Sequence, residues 1–492
     1  MSLSPEILKS KEYIEKVARD YGLDFFEVIF EMVDSDQINS LAALGGFPVR
    51  YPHWRFGMDY DQLSKSYDWG LSKIYEMVIN TDPSYAYLLT LNPLVDQKLV
   101  MSHVYGHVDF FKNNYWFSKT NRKMLDTMAN NAMRIRSYMD KYGQDRVEDF
   151  IDQCLSIENL IDPNLPFQQK KHSESGKVKE PDPNEDGRLK VDRSYMDKYI
   201  NPQEFLDSQR KKKTDEKNRQ KKNPPEPQKD VLLFLIENAP LEDWEANVLS
   251  VIRDEAYYFV PQMQTKIMNE GWASYWHSKI MTQKVLKDSE VIDFADRHAG
   301  AMAISPGQLN PYKLGIELYR DIEDRWNRGR FGKEYDECDD LVEKSKWDKN
   351  LGRGREKIFE VRKIYNDLTF IDEFLTPEFV ERNGIFSFDF NRRTNRYEIS
   401  TRDFQAVKEK LLTSLTNMGQ PYILVDDGNF ENRGELLLSH RHRGVDLDFR
   451  WATETMKNVS AIWRRPVSLE TFVENQKKII SFNNGEVSER TV

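Results

Sequence analysis

The chain has 492 residues, of which 39% are hydrophobic, and its 81 acidic side chains against 71 Lys and Arg give a formal net charge of −10 at pH 7. This balance argues against general nucleic-acid binding, and two cysteines in unrelated contexts exclude a disulfide framework or a thiolate metal site. No run reaches the ~20 apolar residues of a membrane span and the start lacks a secretory signal, so we expect a cytoplasmic protein of two or three globular domains.

The first 165 residues are predicted to be mainly helical. Apolar side chains recur at helical spacing from Ser4 to about Met32 and predict two helices, separated near the sequence YGLD. The stretch SYAYLLTLN, residues 84–92, alternates as a strand does, and Pro93 is suited to open the helix that follows it. Two further helices are expected, over 121–142 and 147–160.

Composition changes between residues 166 and 230, where apolar residues are few and charges are many. This segment is predicted to be a flexible charged insertion or linker. Its basic run RKKKTDEKNRQKK is interpreted as a solvated surface, with binding of an acidic partner as the alternative. Helical periodicity resumes at Val231 and continues to about residue 367, with Pro261 expected to bend or break a helix.

Short β-type runs dominate after residue 368. They are GIFSFDF, RYEIS, PYILVDD, ELLLSHRH, VSLETFV and KKIISF. Together with helical patterns over 402–417 and 450–463, they predict a separate α/β domain over 368–485. The predicted fold class is therefore a mainly α N-terminal domain, built from 1–165 and 231–367, followed by a smaller α/β (α+β) C-terminal domain.

Two histidines stand four residues apart in the segment LVMSHVYGHVDFFKNN, residues 99–114. On a helix, this spacing places the side chains of His103 and His107 one above the other, so that both imidazoles can reach one metal ion. Alternatively, both are buried histidines that hydrogen-bond to the backbone. The spacing therefore permits a shared metal site without establishing it.

A second segment, IMNEGWASYWHSKIM at residues 267–281, places Glu270 and His277 on one helical face. Two histidines and a glutamate form the donor set of catalytic zinc sites, which leave one coordination position open. Alternatively, Glu270 and His277 form a buried ion pair. Two glycines beside proposed ligands, Gly106 and Gly271, each cost a helix about 1 kcal/mol relative to alanine, a cost that close approach of two helices would explain.

The hydrolytic motif H-E-x-x-H carries a glutamate beside its first histidine, and this glutamate acts as the general base. In this chain that position is Val104. Another carboxylate would have to serve as the base, and Glu255 in IRDEAYYF is the nearest candidate along the sequence. The pattern therefore favours a metal site more than it favours peptidase chemistry.

Several long motifs occur along the chain, namely GLSKIYEMVINTDPSYAYLL, HVYGHVDFFKNN, KIMNEGWASYWH, NPYKLGIELYRDIEDRWN and GREKIFEVR. They closely resemble the stage V sporulation protein R (SpoVR) family across nearly the whole length. The resemblance implies a cytoplasmic bacterial protein that is linked to spore cortex formation in spore formers. It also implies two partners, a PrkA-type serine kinase and a von Willebrand A-like protein, which are often encoded beside such proteins.

The segment NEGWASYW also resembles the EGWALY-like segment that supplies a glutamate ligand in some relatives of carboxypeptidase Taq, among the gluzincin peptidases. That likeness implies a gluzincin-like helical metal site in which His103, His107 and Glu270 bind a divalent metal, with zinc expected and iron or manganese as alternatives. It also implies that the strand SYAYLL is a sheet edge that binds an extended substrate, and that Tyr312 in NPYKLG stabilises an oxyanion. His277 is a further candidate ligand.

Three functions are compared on these grounds. The first is a metal-dependent hydrolase or related amide-bond enzyme for a peptide or peptidoglycan-precursor-like substrate, with Glu255 and Tyr312 as catalytic candidates. The second is a non-catalytic regulator or scaffold in a kinase-linked sporulation or stress pathway, stabilised by a closed four-ligand metal site that includes His277. A carboxylate-bridged di-iron oxidase is disfavoured because the paired Glu-x-x-His pattern is absent.

Overall fold

The computed structural model describes residues 3–68, 76–168, 202–208, 222–304 and 307–491. The chain forms two compact units: Met1–Glu148 with Tyr257–Gln420, and Asp149–Ala256 with Pro421–Val492. Most of the predicted insertion at 166–230 lies outside the described residues. The domain boundaries predicted at residues 165, 231 and 368 stay predictions, and the two compact units divide at other positions.

The region before residue 420 is mainly helical, as predicted. The principal helices of the chain are α1 (Pro5–Asp20), α2 (Ser35–Ala43), α3 (Trp54–Asp68), α4 (Leu94–Asn113), α5 (Met124–Tyr142), α6 (Gln144–Leu155), α7 (Val231–Asn238), α8 (Asp243–Gln264), α9 (Lys266–Ile280), α10 (Val291–Ala301), α11 (Pro311–Arg328), α12 (Lys333–Asp336), α13 (Leu341–Lys346), α14 (Gly354–Ile364), α15 (Asp367–Phe374), α16 (Pro377–Asn383), α17 (Phe404–Leu415) and α18 (Phe449–Trp463). Within the described ranges, no helix is long and apolar enough to cross a membrane.

A small sheet in the first unit consists of β1 (Val28–Val33), β2 (Glu76–Ile79) and β3 (Ser84–Leu89). Its order is β1-β3-β2, with β1 parallel and β2 antiparallel to β3. A separate hairpin follows later in the same unit, formed by β4 (Ser387–Asn391) and β5 (Arg396–Thr401). The helices of this unit therefore carry most of its core.

The second unit contains a five-stranded sheet. Its strands are β6 (Ile423–Phe430), β7 (Glu435–His440), β8 (Val467–Val473), β9 (Gln476–Asn483) and β10 (Glu486–Thr491), in the order β10-β9-β8-β7-β6. Neighbouring strands are antiparallel except β7 and β8, which are parallel because helix α18 forms the crossover between them. This arrangement confirms the predicted smaller α/β C-terminal domain.

Three predicted features of the N-terminal region differ from the structure. The second helix expected before Met32 is strand β1, because a short apolar run can form either element and pairing with β3 decides between them. The stretch SYAYLL, predicted to be a sheet edge, is the central strand β3 and lies between β1 and β2. Pro261 does not break its helix, which continues to Gln264.

Helices α4, α9 and α11 pack at backbone contact in the core of the first unit. A β-carbon on Gly106 would lie 2.7 Å from Cα of Ala273 on α9. On the other face of α9, a β-carbon on Gly315 would lie 2.6 Å from Cα of Gly271. This confirms the close approach predicted at Gly106 and Gly271. Gly106 brings the backbones of α4 and α9 together, and Gly271 with Gly315 does the same for α9 and α11.

Substitution of Gly271 by alanine is expected to destabilise the protein. The new methyl group would collide with backbone atoms of Gly315, which cannot rotate away as a side chain can. Overpacking of this kind costs about 1–3 kcal/mol or more. The matched control is Gly57→Ala on α3, where no atom lies within 4 Å and alanine should gain about 0.5–1 kcal/mol. Urea denaturation measures both, and wild-type stability of Gly271→Ala would contradict the expectation.

Candidate metal centre

Helix α4 carries the two predicted histidine ligands. Pro93 is its N-cap residue, and apolar residues on all sides of the helix bury nearly its whole length. His103 and His107 lie one turn apart, with ring centroids 4.5 Å from each other. They are 2% and 4% exposed. The helix therefore presents two imidazoles on one face inside the protein.

Glu270 on α9 faces both histidines. Its Oε2 lies 3.5 Å from Nε2 of His103 and 3.5 Å from Nε2 of His107, and the three ligand atoms lie within 4.8 Å of one another. Oε2 of Glu270 is buried and has no hydrogen-bond partner among the described residues. A cation between these atoms would compensate that buried carboxylate oxygen. The residues therefore fit a divalent metal with nitrogen and oxygen ligands.

Side chains of α9 lie within hydrogen-bonding distance of the Nδ1 atoms of both histidines, which are the ring nitrogens that do not face Glu270 (here called the outer nitrogens). Nδ1 of His107 lies 2.9 Å from Oδ1 of Asn269, and Nδ1 of His103 lies 2.7 Å from Nδ1 of His277. Because an amide oxygen only accepts, His107 donates its proton from Nδ1, and Nε2 is then the acceptor that faces Glu270. This is the tautomer that ligation through Nε2 requires.

His277 lies against the outer nitrogen of His103. It is 3% exposed, and its Nε2 lies 3.1 Å from Nδ1 of His298 on α10. Burial, followed by the positive charges of Arg320 and Lys313, lowers the pKa of His298. His277 is thus brought to the centre, but it is outside the group of three converging ligand atoms found in the described part of the chain.

The remaining sequence candidates lie in different places. Tyr312 is in the first turn of α11, and its ring centroid lies 6.2 Å from that of His103. Val104 is fully buried in the apolar core. Glu255 is a buried residue of α8 that belongs to the second unit, and its proposed role as a base stays a prediction. The structure therefore places Tyr312 near the candidate site. Position 104 supplies no glutamate to it, because it is valine.

Comparison with known proteins gives a family for the chain. The model described as "SpoVR like protein" matches residues 3–420, and "SpoVR-like C-terminal domain" matches residues 421–474. The chain belongs to the SpoVR family. It is 29% identical over 486 residues to the uncharacterized protein YcgB of Escherichia coli (strain K12), covering 93% of this chain and 90% of YcgB. No solved structure matches. The boundary between the two SpoVR matches coincides with a boundary between the compact units.

A buried ion pair supports the helices that carry the candidate ligands in this SpoVR protein. Arg362 on α14 and Trp272 on α9 donate to Oδ2 of Asp109 at 2.8 and 2.7 Å. A backbone N–H donates to the other carboxylate oxygen. Burial raises the pKa of Asp109 to about 6, although Arg362 acts in the opposite direction. Asp109 thus joins α4 to α14 through the ion pair and to α9 through the hydrogen bond from Trp272, two residues from His107 and from Glu270 respectively.

A distant carboxylate also caps helix α9. The N-cap residue of this helix, Thr265, makes no side-chain capping bond. Asp367 on α15 instead accepts hydrogen bonds from the N–H groups of Ile267 and Met268 at 2.8 and 2.9 Å. Burial raises the pKa of Asp367 to about 7, although these two bonds lower it. The cap fixes the start of the helix about one turn before Glu270.

Several residues that support the candidate centre of this SpoVR chain have little or no signal in the sequence. Asn269 directly precedes Glu270, and a polar residue beside a candidate ligand is the only local signal for it. His298 contacts His277, whereas Arg362 and Asp367 support helices α4 and α9, and all three do so only through the packing of α10, α14 and α15. No local spacing could therefore indicate these three residues.

Proposed function

We propose that this SpoVR-family protein is a metal-dependent hydrolase or related amide-bond enzyme whose metal is held by His103, His107 and Glu270. The observation that carries the proposal is the buried Oε2 of Glu270, 3.5 Å from a ring nitrogen of each histidine. This donor set suits zinc, and also iron or manganese. Three protein ligands leave a position for substrate, which supports catalysis over a closed structural site.

The groups around the metal ligands support this chemistry. A zinc ion held there would polarise a substrate carbonyl and activate water. Asn269 and His277 hold the two imidazole rings in place, and the hydroxyl of Tyr312 is the candidate donor to a developing oxyanion. The general base is a carboxylate outside the H-E-x-x-H position, since that position is Val104.

The proposed substrate is a peptide or a peptidoglycan-precursor-like molecule. This part of the proposal rests on the SpoVR resemblance, which links the family to spore cortex formation. The same resemblance supplies a PrkA-type serine kinase and a von Willebrand A-like protein as proposed partners, and the cytoplasm as the proposed location. These assignments concern the context of the reaction and not the metal site itself.

A second candidate function is a non-catalytic regulator or scaffold in a kinase-linked sporulation or stress pathway. Val104 favours it, because an apolar and fully buried side chain occupies the position of the usual general base. On this alternative, the metal stabilises the fold and no substrate is turned over. The two candidates therefore share a metal site and differ in whether its remaining coordination position is accessible.

Metal analysis tests the site that both candidates share. Protein purified without chelator is expected to contain about one equivalent of zinc, iron or manganese by inductively coupled plasma mass spectrometry. A His103→Ala, His107→Ala double variant should contain little metal. His440→Ala is the matched control, since this histidine lies in the second unit and contacts Thr471. Less than about a tenth of an equivalent in the wild type would contradict the site.

Cobalt substitution distinguishes the enzyme from the regulator. Co(II) reports changes in its own coordination through its visible absorption bands, and acetohydroxamate binds metals that have an accessible position. A shift of these bands on adding acetohydroxamate is expected for the hydrolase. An unchanged spectrum would indicate a closed site and favour the regulator.

A further inference from the structure

Three histidines form a chain that leads away from the candidate metal site. Nδ1 of His103 lies 2.7 Å from Nδ1 of His277, and Nε2 of His277 lies 3.1 Å from Nδ1 of His298. Consecutive ring centroids are 5.0 and 5.2 Å apart. The residues come from α4, α9 and α10, at sequence separations of 174 and 21. The fold therefore brings three distant imidazoles into one continuous line.

The direction of these hydrogen bonds follows from the first histidine. Nε2 of His103 faces Glu270, so that ligation through this nitrogen places the ring proton on Nδ1. Nδ1 of His103 then donates to Nδ1 of His277, which carries its own proton on Nε2 and donates it to Nδ1 of His298. Ligation at one end of the chain therefore selects one tautomer for each histidine.

Aromatic packing holds His298, the last residue of this chain of three histidines. Phe294 stacks on His298 with ring centroids 5.6 Å apart and an interplanar angle of 12°, and it contacts His277 edge-on at 6.2 Å. Phe294 is buried, whereas most other residues of α10 are exposed. Charged side chains of α11 also act on His298, namely Arg320, Lys313 and Glu317. His298 and Phe294 thus form an important part of the attachment of α10.

We propose that His277 and His298 are positioning residues that orient the ring of His103, fix its tautomer and couple the docking of α10 to metal binding. This inference rests on the proposed metal site and assigns to these two residues a role other than ligation. A partner on the outer nitrogen orients a ligating histidine and raises its basicity, and its loss typically costs about 10–100-fold in metal affinity.

The test uses three variants with different hydrogen-bonding capacity. His298→Phe keeps an aromatic ring against Phe294 but removes the acceptor. His298→Asn loses the ring but retains a side-chain oxygen that accepts as Nδ1 does. His277→Phe removes the acceptor of His103. Zinc affinity is measured by competition with a chromophoric chelator, and coordination geometry by the visible absorption of the cobalt-substituted proteins.

The three variants have distinct expected results. His277→Phe should weaken zinc binding about 10–100-fold. His298→Phe, one step further from the metal, should weaken it by a smaller factor, about three- to tenfold, and shift the cobalt bands. His298→Asn should stay within about twofold of the wild type and keep the wild-type spectrum.

Two results would overturn the inference. A packing role for His298 predicts the reverse order, with normal affinity in His298→Phe and a loss in His298→Asn. Wild-type affinity in both phenylalanine variants would also exclude the positioning role. Failure of the wild-type protein to bind zinc contradicts the proposed function itself, so the two failures are distinguishable.

Hydrogen exchange provides a readout of α10 that does not depend on activity. Zinc is expected to increase amide protection over 291–301 in the wild type and in His298→Asn, but not in His298→Phe. Helix α5 serves as an internal reference, since it contributes no residue to the histidine chain. Equal zinc-induced protection of α10 in all three proteins would show that its docking is independent of His298.

Discussion

The Glu270→Gln variant is expected to lose its metal and the stabilisation that metal binding gives to the fold. A neutral amide oxygen is a poorer donor than a carboxylate, so metal affinity should fall by more than the roughly 10–100-fold that follows loss of a supporting residue. A ligand that binds only the folded chain stabilises it by about 2.7 kcal/mol at 100 times its Kd. Metal content and thermal unfolding with and without zinc measure both effects.

Four melting temperatures separate a ligand role of Glu270 from a packing role. With zinc, the wild type should melt above Glu270→Gln. Without metal, the difference should vanish or reverse, because burying a neutral amide is less unfavourable than burying an unpaired carboxylate. Glu255→Gln alters a buried carboxylate of the second unit and should retain full metal content. Full occupancy and a wild-type melting temperature in Glu270→Gln would show that Glu270 is not a ligand.

Arg362→Met is expected to destabilise the first unit by roughly 3–5 kcal/mol at neutral pH, because it leaves a buried carboxylate without its cation. Arg362 is 3% exposed and Asp109 is 0% exposed, so water cannot replace the guanidinium group. The flexible methionine side chain fills much of the vacated volume, so that the loss reports mainly on the missing charge. The urea midpoint of the metal-free protein measures it.

The effect of Arg362→Met should depend on pH. The folded pKa of Asp109 is raised from 3.8 to about 6, so the stability linked to its protonation is present below pH 3.8 and is lost as pH rises through 6. Without Arg362 the folded pKa of Asp109 rises further. In the variant, stability therefore continues to fall as the pH rises above 6, up to this higher pKa. The difference between wild type and variant should therefore be larger at about pH 8 than at about pH 5.

A compensating substitution completes this test. Asp109→Asn combined with Arg362→Met removes both charges and should recover much of the stability that Arg362→Met alone loses. It should also remove the pH dependence of that loss. A single variant with the same deficit at both pH values, and no recovery in the double variant, would mean that the side chain of Arg362 acts through its packing.

The candidate ligands could be predicted because the relevant information is local. The four-residue spacing of His103 and His107 is a property of one helix, and Glu270 lies in a segment that resembles a known motif. The structure brings these three side chains together. His298 and Arg362 could not be anticipated, because their contacts with the site exist only after distant helices have packed. Local periodicity contains no information about such contacts.

The fold was predictable to the same extent. Four C-terminal β-type runs, PYILVDD, ELLLSHRH, VSLETFV and KKIISF, are confirmed as strands β6 to β9 of the sheet. The runs GIFSFDF and RYEIS instead form the separate hairpin of β4 and β5 in the first unit, and strand β10 was not predicted. The apolar run from Phe25 to Val33 does not distinguish a strand from a helix. Its strand conformation depends on pairing with β3, more than fifty residues later. The central position of β3 depends in turn on two partners from separate segments. Sequence patterns therefore indicate elements more readily than they indicate neighbours.

The divided first unit has a consequence for the order of events during protein synthesis. The chain leaves this unit after Glu148 and returns at Tyr257, and the hydrogen-bonded pair His107 and Asn269 is separated by 162 residues. At roughly 5–20 residues per second, α9 is synthesised on the order of ten seconds after α4, against which it packs. Until then, the part of α4 that packs against α9 lacks this partner. At the proposed metal site, an ion would find its third ligand, Glu270, only after α9 has left the ribosome.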